Sequence, residues 1–187
     1  MQKLTNRRGR RYDLSPLEGF SDDGVAYAAA VLDEARERCI DLIADMTHEA
    51  MWTRVGGSPF SAGDLVVHMN WAEFVWLAKI GEHRLPAETV AVIERGKLDH
   101  LYEPDQWSMP VGELVELCRR TREDLLIPTL APVESLDQPI GTTLAGGSGP
   151  KTVGQVIMHV TTSWLYHSGQ VGLMTMQNGL DYVWAFA

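Results

Sequence analysis

The stretch IMHVTTSWLYHSGQV, residues 157–171, carries two histidines, His159 and His167, and the stretch GDLVVHMNWAEF, residues 63–74, carries a third, His68. Imidazole binds divalent ions and moves protons near neutral pH, so chemistry is sought at these positions first. His159 and His167 are eight residues apart, about 12 Å along a helix axis, too far for both rings to hold one ion. Histidines that share an ion from a single helix sit at i and i+4, and the residue four before His167 is Ser163. An ion held by His167 therefore needs a partner from another helix. His68 is the candidate, because it interrupts the apolar run Leu65, Val66, Val67 and Met69. Two carboxylates compete for a further position: Asp64, four residues before His68, shares its face, and Glu73, five after it, is turned away by about 140°. Three readings stay open from the residues alone. A metal site is completed by water, Ser163 or a carboxylate; or a cleft survives without metal; or hydrogen bonds inside the core satisfy the histidines.

The elements that must position these side chains read as helices. Ser21 or Asp22 is placed to cap a first long helix through DDGVAYAAAVLDEARERCIDLIADM, whose apolar residues Val25, Ala29, Leu32, Ala35, Ile40 and Ile43 recur at helical spacing. Gly56, Gly57 and Pro59 then break the pattern, and Ser61 is placed to cap a second helix, AGDLVVHMNWAEFVWLAKIGE, apolar on most sides and so central. A short helix is expected through PAETVAVIERGK, followed by the irregular DHLYEPDQWSMP. A third long helix, VGELVELCRRTREDLLIPTL, is expected to end near Pro128, since proline lacks the N–H that a helix interior needs. A loop of about twenty residues, Ala131 to Lys151, precedes a fourth helix opened by the TVGQ capping pattern at Thr152 and closed by Asn178 and Gly179. No run alternates long enough to read as a strand. The expected fold is all-α: a four-helix bundle with long crossover connections and one short extra helix.

The segments FSAGDLVVHMNWAEFVWL and TVGQVIMHVTTSWLYHSGQVGLM resemble the second and fourth helices of the DinB-like (DinB/YfiT-like) metalloenzyme family. Helix order, Trp52 ahead of helix two and the long loop before helix four extend the resemblance over roughly residues 22–180. It implies a divalent metal, nickel or zinc, held by His68 and His167, with Ser163 standing where relatives carry the first histidine of an H-x3-H pair. His159 matches a supporting residue upstream. Because a hydroxyl is a poorer ligand than imidazole, that departure also allows the metal to be absent. The resemblance implies a metal-dependent enzyme, a thiol-dependent S-transferase or isomerase whose partners are a low-molecular-weight thiol and a small electrophile. It also implies a homodimer. The alternative is a non-catalytic helical binding or dimerisation module with a decayed site.

Composition narrows the remaining classes. The first twelve residues hold five basic groups and no acid, which leaves 11 basic against 25 acidic residues, or −14, for the rest. Such a body disfavours nucleic acid as the main partner. Residues 1–20 read as a basic, mobile segment and residues 21–187 as one domain. Cys39 and Cys118 lie within helical stretches and are expected to be buried free thiols. With no apolar leader and no 18-residue apolar run, a cytoplasmic protein with no membrane partner is expected. His48 is expected at the end of helix one, where a cation suits the carbonyl end of the dipole. His83 and His100 are expected on the solvated surface, and Trp71, Trp76 and Trp164 in the core or as walls of the cleft.

Overall fold

Asp22 sits in extended backbone and its Oδ1 accepts the Val25 N–H at 2.8 Å, which starts α1 (Asp23–Ile43). The computed structural model describes residues 2–3, 14–102, 107–141 and 149–181. After α1, Thr47 caps a five-residue helix, α2 (His48–Trp52). Ser61 and Asp64 then form a reciprocal capping box that opens α3 (Ala62–Leu77), the Ser61 N–H donating to Asp64 Oδ2 at 2.8 Å and the Asp64 N–H to Ser61 Oγ at 3.1 Å. The connection that follows is built of α4 (Ala87–Ile93), a 3₁₀ turn (Glu94–Gly96) and α5 (Leu98–Leu101). The third long segment is α6 (Val111–Arg120), a π-helical turn (Thr121–Leu126) and α7 (Ile127–Leu130). Last comes α8 (Val153–Gln177), the longest helix, with Thr152 at its cap.

Apart from its helices the described part holds one short strand pairing, in which Gln2–Lys3 (β1) runs parallel to Leu180–Asp181 (β2). The sequence offered no strand there, because two residues are too few to show a period. The start of the basic segment is thus tied to the end of α8, and residues 4–13 lie outside the described set. So do residues 142–148 of the long loop and residues 182–187 of the apolar C-terminus. The flanks of that loop are pinned, with the Ile140 N–H donating to Lys151 O at 3.0 Å and the Gly154 N–H to Leu136 O at 2.8 Å.

The third segment ends at Leu130, two residues past Pro128, as expected. Pro128 lies inside α7, where its missing N–H and its ring leave the carbonyl of Asp124 without a helical partner. Widening to the π-helical turn makes room, and the Asp124 carbonyl accepts the Arg84 N–H at 2.7 Å instead. A tertiary hydrogen bond thus replaces the helical one.

α8 packs against both α1 and α3, and α6 packs against the same two helices, so one core lies between four long segments. Leu32, Ile43, Val66, Met69, Leu77, Leu114, Leu126 and Trp164 are all fully buried there. Each such side chain contributes about 1.5–3 kcal/mol of burial, which is what holds helices this long together. The apolar run of α3 is placed inside as expected. At its start Gly63 lets the Trp52 ring lie on the first turn, because a Cβ there would stand 2.6 Å from the ring carbons. The Trp52 indole N–H donates to Met109 O at 2.9 Å and so fixes the segment entering α6.

Candidate functional site

The α3–α8 contact brings His68 and His167 together, their ring centres 5.4 Å apart and their planes at 90°. Both are half-buried. His68 Nδ1 lies 2.8 Å from Gly96 O on the 3₁₀ turn, and His167 Nδ1 lies 2.6 Å from Gln170 Oε1, one turn along its own helix. A carbonyl oxygen only accepts, so in its neutral form each ring carries its proton on Nδ1 and keeps the lone pair on Nε2. Burial lowers the pKa of His167, and nearby His68 lowers it further, against the opposing pull of Gln170. The neutral form, which a metal or a proton can use, is therefore favoured.

Aromatic rings frame the pair. Trp71 stacks on His68 with centres 5.5 Å apart, and the exposed Tyr166 meets His167 edge-on at 5.2 Å. Trp71 is therefore a wall of the site. Trp76 is buried nearer the end of α3, and Trp164 is core, its N–H donating to Glu73 Oε2 at 2.8 Å. A cleft of about 130 Å³ opens at the first turn of α3, lined by His48, Trp52, Arg54, Asp64 and Trp107. Asp64 is one turn from His68 along α3, but neither His68 nor His167 lines this cleft.

Ser163 is half-buried on α8 and, at i−4, shares the face of His167. His159 is elsewhere. It is exposed, meets Trp76 edge-on at 5.0 Å, and is about 12 Å along α8 from His167, too far to orient that ring directly. Both carboxylates considered for the third position are engaged. Asp64 closes the capping box and faces Arg54 at 4.0 Å. Glu73 is fully buried and bound to Arg36 of α1, itself fully buried, which also reaches Asp33 at 3.2 Å and lies over the Trp164 ring. Burial pushes the Glu73 carboxyl up, while the Arg36 charge and the Trp164 N–H pull it down. Among the described residues no group of three or more His, Cys, Asp or Glu could hold a metal ion.

Three other histidines differ from expectation, His100 being half-buried on α5. His48 is the first residue of α2 rather than the last of α1, because Thr47 starts a new helix. His83 is half-buried against Phe74, ring centres 5.2 Å apart, and its Nδ1 has no hydrogen-bond partner. Sequence spacing missed the Arg36–Glu73–Trp164 cluster; the sole hint was three polar or amphipathic residues on otherwise apolar helices. Cys39 and Cys118 are free and buried, and no helix among the described residues is long and apolar enough to cross a membrane.

A family model described as DinB family matches residues 27–185. A search of the curated proteins finds no match.

Proposed function

The chain belongs to the DinB family, and from that membership we propose a divalent-metal-dependent enzyme built on the family's four-helix bundle, with His68 and His167 as the ligands. The observation that carries this reading is the pair of imidazoles with free Nε2 atoms, one from α3 and one from α8, with ring centres 5.4 Å apart. A zinc–imidazole bond of about 2.1 Å, with about 1.1 Å more to the ring centre, puts two rings on one ion at a tetrahedral angle about 5.2 Å apart. Two imidazoles at that spacing are donors of the kind nickel and zinc take. Hydrogen-bonded Nδ1–H groups are also what orients metal-binding histidines.

Ser163 hydroxyl or water supplies the remaining positions in this reading, since Asp64 and Glu73 are committed elsewhere. When bound, a divalent ion supplies Lewis acidity and a lowered pKa for a thiol or water beside it. His68 and His167 are oriented by Gly96 and Gln170, and Trp71 and Tyr166 pack against their rings. The reaction proposed with the ion is a thiol-dependent S-transfer or isomerisation, with a low-molecular-weight thiol and a small electrophile as partners. The homodimer expected with it would use the exposed apolar face of α8, Met158, Leu165, Leu173 and Met176. Sedimentation at micromolar concentration tests that point, and a monomer throughout removes it.

Metal content per chain, measured by plasma mass spectrometry before and after incubation with nickel and zinc, tests the site. About one ion per chain, lost in both His68→Ala and His167→Ala, is the expected result. No uptake under any loading favours the second reading, a non-catalytic binding module, for which the lack of a third charged or imidazole ligand among the described residues speaks.

A further inference from the structure

We infer that the 3₁₀ turn Glu94–Gly96 is a clamp that sets the tautomer of His68, and that Gly96 is its positioning residue. The role of the tautomer rests on the reading of His68 as a ligand, but the clamp itself is a property of the metal-free chain.

The two histidines are held in different ways. His167 takes its partner from Gln170, three residues along the same helix, so helix formation alone supplies the acceptor. His68 takes its partner from a segment 28 residues away, and its orientation depends on how that segment docks. Gly96 is buried in direct contact with the backbone of α3. A Cβ at that position would stand 2.4 Å from Val67 O, 2.7 Å from Val67 C and 2.9 Å from His68 Cα. Those atoms belong to a helix backbone and cannot swing aside as a flexible side chain would. The glycine is therefore required by close approach, not by backbone twist, since its φ is not positive.

Ile93, fully buried just before the turn, anchors it to the core, and the Lys97 N–H donates to Glu94 O at 3.2 Å to close it. With the turn in place the Gly96 carbonyl, acceptor only, takes the His68 Nδ1–H at 2.8 Å. Trp71 stacked on the ring removes rotation as an escape. Nε2 is left as the basic nitrogen. Pushing the turn away by about 1 Å would lengthen the contact past hydrogen-bond range and release the ring.

The test is tautomer assignment by long-range ¹H–¹⁵N NMR on metal-free protein at pH 8, with nickel affinity by calorimetry as a second readout. In the wild-type chain His68 is expected to carry its proton on Nδ1. In Gly96→Ala the His68 signals move towards a mixture of tautomers and nickel binding weakens 10–100-fold, while His167 keeps its own tautomer. Gly112→Ala, where a Cβ meets open space, leaves both readouts unchanged. An Nε2–H tautomer for His68 in the wild type overturns the clamp, even if Gly96→Ala fails to fold. So does a folded Gly96→Ala with unchanged tautomer and affinity. If the wild type takes no nickel, the metal reading fails while the tautomer result still decides the clamp.

Discussion

Replacing Glu73 by glutamine probes the buried cluster that joins α1, α3 and α8. Arg36 and Glu73 are both fully buried, and Glu73 accepts from Arg36 through one oxygen and from Trp164 through the other. A carboxamide has one acceptor oxygen, so one of these two donors must face an NH₂ group. Removing one partner of a buried pair costs 3–5 kcal/mol, and the low end, about 3 kcal/mol, applies because Asp33 still reaches Arg36 at 3.2 Å. An orphaned donor adds about 1–2 kcal/mol. Glu73→Gln is thus expected to lose about 4 kcal/mol, or about 8–16 °C in Tm for a chain of this length. Urea unfolding followed by tryptophan fluorescence measures it directly, since Trp164 is part of the cluster. Arg36→Met should cost a similar amount, whereas Arg36→Met/Glu73→Leu should cost less than the sum of Arg36→Met and Glu73→Leu, because Asp33 keeps Arg122 at 2.8 Å and no unpaired buried charge is left. A loss below about 1 kcal/mol for Glu73→Gln, or additive single and double changes, would refute the argument that the pair is desolvated and coupled.

The two thiols should be inert in the folded chain: burial pushes Cys118 up to about 11 and Cys39 further, so an aromatic disulfide reagent at pH 8 should titrate none natively and both in urea. Because the folded state holds the Cys118 proton more tightly than the unfolded one, stability present below pH 9 should fall as pH rises from 9 towards 11. Cys118→Ala should flatten that slope, and an unchanged alkaline limb would assign it to other groups. Ser163→His adds an imidazole one turn from His167 on the same face, and calorimetry should show zinc or nickel binding at least tenfold tighter. Unchanged affinity would place position 163 off the ion.

Much of the helical plan was legible in the sequence, because capping and periodicity are local. Asp22, Ser61 and Thr152 announced three helix starts through side chains that satisfy N–H groups within a turn, and the same residues cap in the structure. The apolar run around His68 announced a central helix for the same reason. Histidine spacing alone excluded a shared ion between His159 and His167, since helix rise is fixed. The third segment ended at Leu130 as expected, but how Pro128 fits inside it was not legible, since Arg84, 44 residues earlier, takes the carbonyl it leaves free, and the β1–β2 pair is too short to leave a pattern.

What only the tertiary structure decided is how polar side chains on different helices face one another. Packing of α3 on α8 sets His68 beside His167 and turns Glu73 inward to Arg36, while docking of the Glu94–Gly96 turn gives His68 its acceptor. No local rule reaches these pairings, because the partners lie 28 to 99 residues apart and meet only when apolar burial draws the helices together. The sequence by itself determined which side chains could do chemistry and on which helices they ride, and for His167 also its local partner Gln170; close packing determined which nitrogen of His68 is free.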